Sequence, residues 1–330
     1  MQHVYTIINQ IALLSIIGIL GFIAGRKKYL PENTGMVVSR LIVKVTAPLL
    51  VLTTMTRYKF SHKMLMDGAL VFGLGVVFLT MTYFLGSLAT KVFGIKGATA
   101  NVFKMHSMFG NVVFLAYPLI DAMFPEKGLI YAVFYSIAND TMFWTVGIYL
   151  VNSHNTTSWK DNLRQLVNAN TVAFALGFLC MLFNIQQYVE SSWIVGKVYN
   201  TLYDSLNPLG KTTICLSMIF IGLILSEVRL KGLKDIAGRL PVLALALLKL
   251  VVTPSIVILI LSAVGRGIDP FIKTILVLQL AMPCGTLVAA LAAQYDSDYR
   301  FASESVFFST IMGMFTLPFL VYIVEIIKVW

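Results

Sequence analysis

Charge is scarce in this chain. Only 12% of its 330 residues are Asp, Glu, Lys or Arg, where a soluble domain carries about 25%. With 58% hydrophobic residues and a mean hydropathy of +0.83, that scarcity excludes an ordinary soluble domain and indicates an all-α polytopic membrane protein. Cysteine is almost missing. Cys180, Cys215 and Cys284 lie in separate apolar runs, so no disulfide framework is expected. The four histidines, His3, His62, His106 and His154, are far apart and pair with no cysteine, so neither a metal site nor a metal cofactor is expected. No Walker-type phosphate loop is present, which argues against direct nucleotide drive. No nucleophile–histidine pairing marks an enzyme. A basic n-region and a small-residue cleavage site are also missing from the first apolar run, which therefore reads as a retained span.

The net charge is +10. In a membrane protein such an excess reflects loop bias and contact with anionic headgroups. Polar surface is too sparse for a nucleic-acid partner. Apolar run length predicts ten spans, at 4–25, 34–56, 65–92, 99–124, 128–151, 169–187, 198–226, 240–264, 271–294 and 300–327. Loops are short, except for the polar stretch 152–168. That stretch is read as a cytoplasmic linker between residues 1–151 and 169–330, with Trp159, Leu163 and Leu166 able to seat an interfacial helix. Lysine and arginine in the loops favour a multi-pass protein of the cell membrane with both termini outside.

Five spans in each half is an odd number, so similar halves would be inverted relative to one another. Weak internal echoes fit that design. Span two reads Lys44-Val45-Thr46 and span seven Lys211-Thr212-Thr213. The echo with most weight joins two interruptions. Span four holds Phe109 to Pro118 (FGNVVFLAYP), and span nine holds Ala281 to Thr286 (AMPCGT). Proline lacks the N–H of an unbroken helix and clashes with the preceding turn. In lipid, broken backbone is tolerated only when buried in protein or lining a wet cavity. Matched interruptions in two halves point to a transporter's binding site. The plain alternative is that each proline only kinks a packed helix.

A helix restarting at Pro118 or near Pro283 would expose free N–H groups and a positive dipole end. Two such ends facing one cavity would seat an anion. Asn111 is read as a substrate contact or as a prop for unwound backbone. Thr286 and Gln279 bracket the second break, facing substrate or satisfying freed carbonyls. Asp140 is the most anomalous ionisable residue. A mid-membrane carboxylate costs about 2.5–3.5 kcal/mol on insertion scales, so Asp140 is either a proton-coupling site or one half of an ion pair with Lys44, Lys104, Lys211 or Lys249. Lys44 and Lys211 would attract the anion, neutralise Asp140, or snorkel. Glu304 reads foremost as a helix N-terminal charge, with a coupling role as the alternative; a proton role for His106 is the weaker reading there.

At Gly110 to Leu150, Leu209 to Leu225 and Ala281 to Leu320 the chain resembles the auxin efflux carrier family of membrane transport proteins, which includes plant auxin carriers and bacterial malate or malonate permeases. The resemblance implies a scaffold of spans 1, 2, 6 and 7 and a moving core of spans 3–5 and 8–10. It also implies broken spans four and nine crossing at mid-membrane, an elevator mechanism and a homodimer. Site positions carry over to Asn111, Pro118, Asn139, Pro283 and the flanking Cys284 and Thr286. Cys284 stands where plant carriers have an amide, Cys215 where relatives often have proline, and the long cytoplasmic loop is missing. The expected function is secondary transport of a small organic acid such as malate, another carboxylic acid or an auxin-like acid. No cofactor is expected, and the coupling ion would be H+ or Na+. A cation/proton antiporter of similar architecture is the competing reading.

Overall fold

A computed structural model describes residues 2–31, 33–58, 60–125, 127–151, 167–227 and 239–326. Among them the chain is helical throughout, in ten stretches close to the expected limits. We label them α1 (Gln2–Arg26), α2 (Thr34–Thr56), α3 (His62–Val92), α4a (Gly97–Met108) with α4b (Val112–Met123), and α5 (128–151). The second half contains α6a (Ala169–Leu182) with α6b (Ile185–Ser191), α7 (Trp193–Glu227), α8 (Leu240–Ala263), α9a (Pro270–Leu280) with α9b (Thr286–Gln294), and α10 (Tyr299–Ile326). Of these, α2, α3, α7, α8 and α10 are each long and apolar enough to cross a bilayer, and α6 makes a sixth if its two arms form one bent span. The polytopic membrane reading therefore holds. The linker at 152–168 and its Trp159, Leu163 and Leu166 lie almost wholly outside the described residues, which resume at Val167.

Span six is not straight. Its arms meet at 57°, turning at Asn184, whose φ of 48° is left-handed. Asparagine tolerates that region because its short side chain bonds locally. The limit expected at 187 is replaced by a bend at 182–185.

Prolines shape three helices in one way. Wide π turns span 42–46, 112–116 and 248–252, each ending two residues before a proline: Pro48, Pro118 and Pro254. A proline ring collides with the carbonyl four residues back and offers it no N–H. Widening the turn removes the collision without ending the helix. Pro118 thus neither breaks span four nor starts its second arm.

Packing divides the helices into groups. α1 lies against α7, α6a against the second half of α2, and α2 against α7. Small residues set the α1–α7 approach: a Cβ on Gly222 would meet the backbone of Gly18 and Phe22, and one on Gly21 would meet that of Ile219. Without a hydrophobic force between helices in lipid, such close approach supplies the attraction. In the other group α3 packs on α4a and α5, while α8 and α9b pack on α10. The echoed positions also behave alike. Lys44 and Lys211 are both exposed, and Thr46 and Thr213 are both fully buried.

The two interrupted helices meet at their interruptions. Gly110 and Cys284 form an isolated antiparallel bridge. Asn111 N–H donates to Pro283 O (2.8 Å) and Gly285 N–H to Phe109 O (3.1 Å). Such contact needs glycine on both strands. A Cβ at Gly285 would lie 2.9 Å from Gly110 O, and one at Gly110 would lie 3.0 Å from Met282 Cβ. Gly285→Ala is expected to destabilise the protein by about 1–3 kcal/mol, the usual cost of overpacking. Gly73→Ala, where a Cβ meets nothing within 4 Å, is expected to be neutral or to stabilise by up to about 1 kcal/mol. Thermal unfolding of both variants in detergent checks this.

Candidate functional site

The crossing organises the site. Because Asn111 and Gly285 spend their amides on the opposite strand, the second arms begin just beyond them, with Asn111 and Gly285 as the capping residues. The Asn111 side chain accepts from Phe114 N–H at 3.3 Å, closing the first turn of α4b. This corrects the expectation that the arms restart at the prolines: α4b starts six residues before Pro118, and α9b three after Pro283. The physical reason is the bridge, which holds these residues extended until both strands have passed each other.

Beside the bridge lies a cavity of about 100 Å³. Asn111, Asn139, Asp140 and Thr286 line it together, with Asn168 and Asn170 from the start of α6a and Gly285 from the break. Val43, Phe109, Phe143, Trp144 and Leu287 supply apolar wall. Asn111 is 3% exposed and Asn139 is 6% exposed. Asn111 Nδ2 has no hydrogen-bond partner, and neither has Asn139 Oδ1. An unmet polar atom in such a place normally costs about 1–3 kcal/mol. The first amides of a helix have no acceptor within it. Those of Val113 in α4b and of Thr286 and Leu287 in α9b border the same space, and both helix starts bring a positive dipole end.

Asp140 is half-buried on this cavity. Asn139 and Asn168 adjoin it on the same cavity. Among the described residues no cation forms an ion pair with it. The lysines considered as its partners sit elsewhere. Lys44 and Lys211 are exposed, Lys211 within electrostatic range of Asp121. Lys104 is half-buried on α4a. Lys249, fully buried, donates to Ser107 O (3.0 Å) and Met108 O (2.9 Å). Glu304 pairs with Arg300 (3.2 Å) and Arg239 (3.5 Å) near the start of α10 and does not line the cavity.

Pro118, Pro283 and Cys284 are buried beside the crossing but do not line the cavity. Pro283 lends its carbonyl to Asn111, and its ring lies against Gly313 of α10. Cys284 N–H donates to Ser309 Oγ at 3.0 Å. His106 is fully buried in the last turn of α4a, away from the lining. Gln279 donates to Ala132 O at 3.3 Å and ties α9a to α5.

A second cavity, of about 830 Å³, adjoins the first through Thr286 and Leu287. It runs between the first half of α2, α7, α9b and α10. Its one charged lining residue is Arg40, which has no ion-pair partner among the described residues. On the matching side of the crossing α4b packs on α1, α5 and α7, and the cavity beside its Leu115 and Leu119 is smaller, about 50 Å³. Sequence reasoning missed Arg40, although a lone arginine in an apolar span was a visible signal. It also missed Asn168 and Asn170, hidden in what read as the end of a linker; Asn168 in fact caps α6a, reciprocally with Thr171.

A membrane transport protein family model matches residues 6–321. The chain belongs to this family, the auxin efflux carrier family. Two relatives match it over most of their length. One is an uncharacterised transporter of Methanothermobacter thermautotrophicus, 25% identical over 300 residues, covering 91% of this chain and 92% of the relative. The other, from Methanocaldococcus jannaschii, is also an uncharacterised transporter, 21% identical over 315 residues, covering 94% and 96%. For this carrier, Ser309→Ala would leave the Cys284 amide without its acceptor and is expected to cost about 1–3 kcal/mol. Ser205→Ala, exposed on α7 and bonded only to its own helix, is expected to stay within about 0.5 kcal/mol. Chemical unfolding of the purified variants separates the two.

Proposed function

We propose that this chain is a secondary active transporter of a small organic anion: malate, another carboxylic acid or an auxin-like acid. The observation that carries the reading is the unpartnered Nδ2 of buried Asn111, a residue that lines a cavity bordered by two helix starts. A carboxylate would accept from Asn111 Nδ2, from the Thr286 hydroxyl and from the helix-start amides, in a setting where charge-assisted bonds are strong. The cavity of about 100 Å³ suits a carboxylate head group, with the adjoining space left for the rest of the acid.

The ten helical stretches act in this reading as ten spans in two inverted halves, with the crossing at mid-membrane and both termini outside. α1, α2, α6 and α7 form the scaffold, and α3–α5 with α8–α10 the moving core. The paired contacts α1–α7 and α6–α2, and α3–α5 and α8–α10, support the repeat. The large gap beside α9b, against a cavity of only about 50 Å³ beside α4b, supports access from one side at a time in an elevator-like cycle. A homodimer held through the scaffold completes the proposal.

Asp140 decides the coupling. An ionised carboxylate on the cavity repels a bound acid, so acid and proton are taken up together. A cation/proton antiporter is the second reading, and the same residue favours it. Labelled-acid uptake into proteoliposomes under a pH gradient tests both. Asn111→Ala is expected to lower kcat/KM about 10- to 100-fold, the worth of one bond to a charged group. Asp140→Asn is expected to keep acid exchange while losing acceleration by the gradient. Saturable cation flux without any acid transport, abolished in Asp140→Asn, would establish the antiporter instead.

Arg40 then serves as the entrance charge. Arg40→Gln is expected to slow acid entry several-fold at low salt and to flatten the dependence of rate on ionic strength. Initial rates across a salt series measure this.

A further inference from the structure

We propose that the ammonium of Lys249 is a tethered cation, seated where a broken-helix carrier would otherwise bind sodium, so that acid movement by this chain has no sodium requirement. The inference rests on the transporter reading and goes beyond it by choosing between the two coupling ions. Half-helix ends at a transporter's crossing present carbonyls that coordinate sodium, while the opposing starts face the anionic substrate. In this chain α4a ends at Met108, and its last carbonyls have no amide partner within the helix. They also form the negative end of the α4a dipole.

Lys249 already fills that position. It is fully buried, and its Nζ donates to Ser107 O at 3.0 Å and Met108 O at 2.9 Å. It projects from the wide π turn 248–252 of α8, the turn that relieves Pro254. Cys284, in the other interrupted strand, lies within electrostatic range of the ammonium. Among the described residues no carboxylate forms an ion pair with Lys249. Its counter-charge is therefore the helix end itself. A sodium ion at these carbonyls would have to displace a fixed positive charge, which a diffusing ion cannot match in local concentration.

The test uses the full chain in proteoliposomes and in detergent, with sodium chloride exchanged for choline chloride. For the wild type, labelled-acid uptake is expected to change by less than about twofold and the melting temperature not to respond to sodium, since an ion that does not bind cannot stabilise. Lys249→Arg keeps a cation and is expected to stay insensitive. Lys249→Gln vacates the carbonyls and is expected to become sodium-dependent, its melting temperature and uptake rising with sodium but not choline. Wild-type uptake that falls about tenfold without sodium, or a wild-type melting temperature that rises with sodium, overturns the proposal. So does a folded Lys249→Gln that transports at the wild-type rate in either salt. If Lys249→Gln does not fold, the wild-type and Lys249→Arg measurements decide alone. The melting arm needs no substrate, so failure to carry any organic acid would count against the transporter reading without touching the cation assignment.

Discussion

Two backbone hydrogen bonds, Asn111 to Pro283 and Gly285 to Phe109, set the geometry on which the rest depends. Interrupting a helix frees amides and carbonyls that an apolar setting penalises heavily. Here each interruption satisfies the other. Around Gly110 and Cys284 the two strands pair as a minimal sheet, and Ser309 takes the amide of Cys284 that the bridge leaves over. Lys249 takes two carbonyls at the end of α4a. Asn111 caps the arm that follows. Among the buried side-chain atoms left without a partner, Asn111 Nδ2 and Asn139 Oδ1 belong to residues lining one cavity.

Charge is distributed on the same logic. Of the lysines that looked able to neutralise Asp140, Lys249 is engaged on helix carbonyls, Lys44 and Lys211 are exposed, and Lys104 is half-buried on α4a. Glu304 is held by Arg239 and Arg300. Asp140 has Asn139 and Asn168 beside it and, among the described residues, no ion-pair partner. The crossing thus joins one fixed positive charge behind it to one carboxylate in front, with two positive helix ends between them. In the proposed function a guest entering the cavity would meet donors from Asn111 and Thr286 and the carboxylate of Asp140.

Much of this was legible in the residues. Run lengths located the helical stretches, five or six of which are long and apolar enough to cross a bilayer. Asn111 and Asp140 stood out as polar anomalies in apolar text, Thr286 as a neighbour of the second interruption and Asn139 through the family resemblance, and the structure brings all four to one cavity. What was not legible follows from long-range partners. Proline marks local strain, but the response of the chain depends on its neighbours. At Pro118 a π turn absorbs the strain, and the true break lies at the bridge, whose partner is some 170 residues away in sequence. Lys249 gave no local sign of its role, since its ligands are the carbonyls of residues 107 and 108. Asn168 and Asn170 were concealed by sitting at the seam between polar linker and apolar helix.

The two sides of the crossing are not equivalent, and this bears on how one sequence serves two halves. α4b is packed on α1, α5 and α7, while α9b borders the large cavity beside Arg40. Inverted halves in identical surroundings would present closed or open gaps in pairs. The unequal cavities show that α4b and α9b have different surroundings. The bridge itself need not change for the gap to move, because its hydrogen bonds lie wholly within the group formed by α4, α9 and α10. A unit whose internal bonds are complete can shift against α1, α2, α6 and α7 without exposing unsatisfied backbone. The glycine contacts that lock α1 to α7 involve none of its residues. Backbone satisfaction inside the crossing is therefore what would allow it to travel as one body.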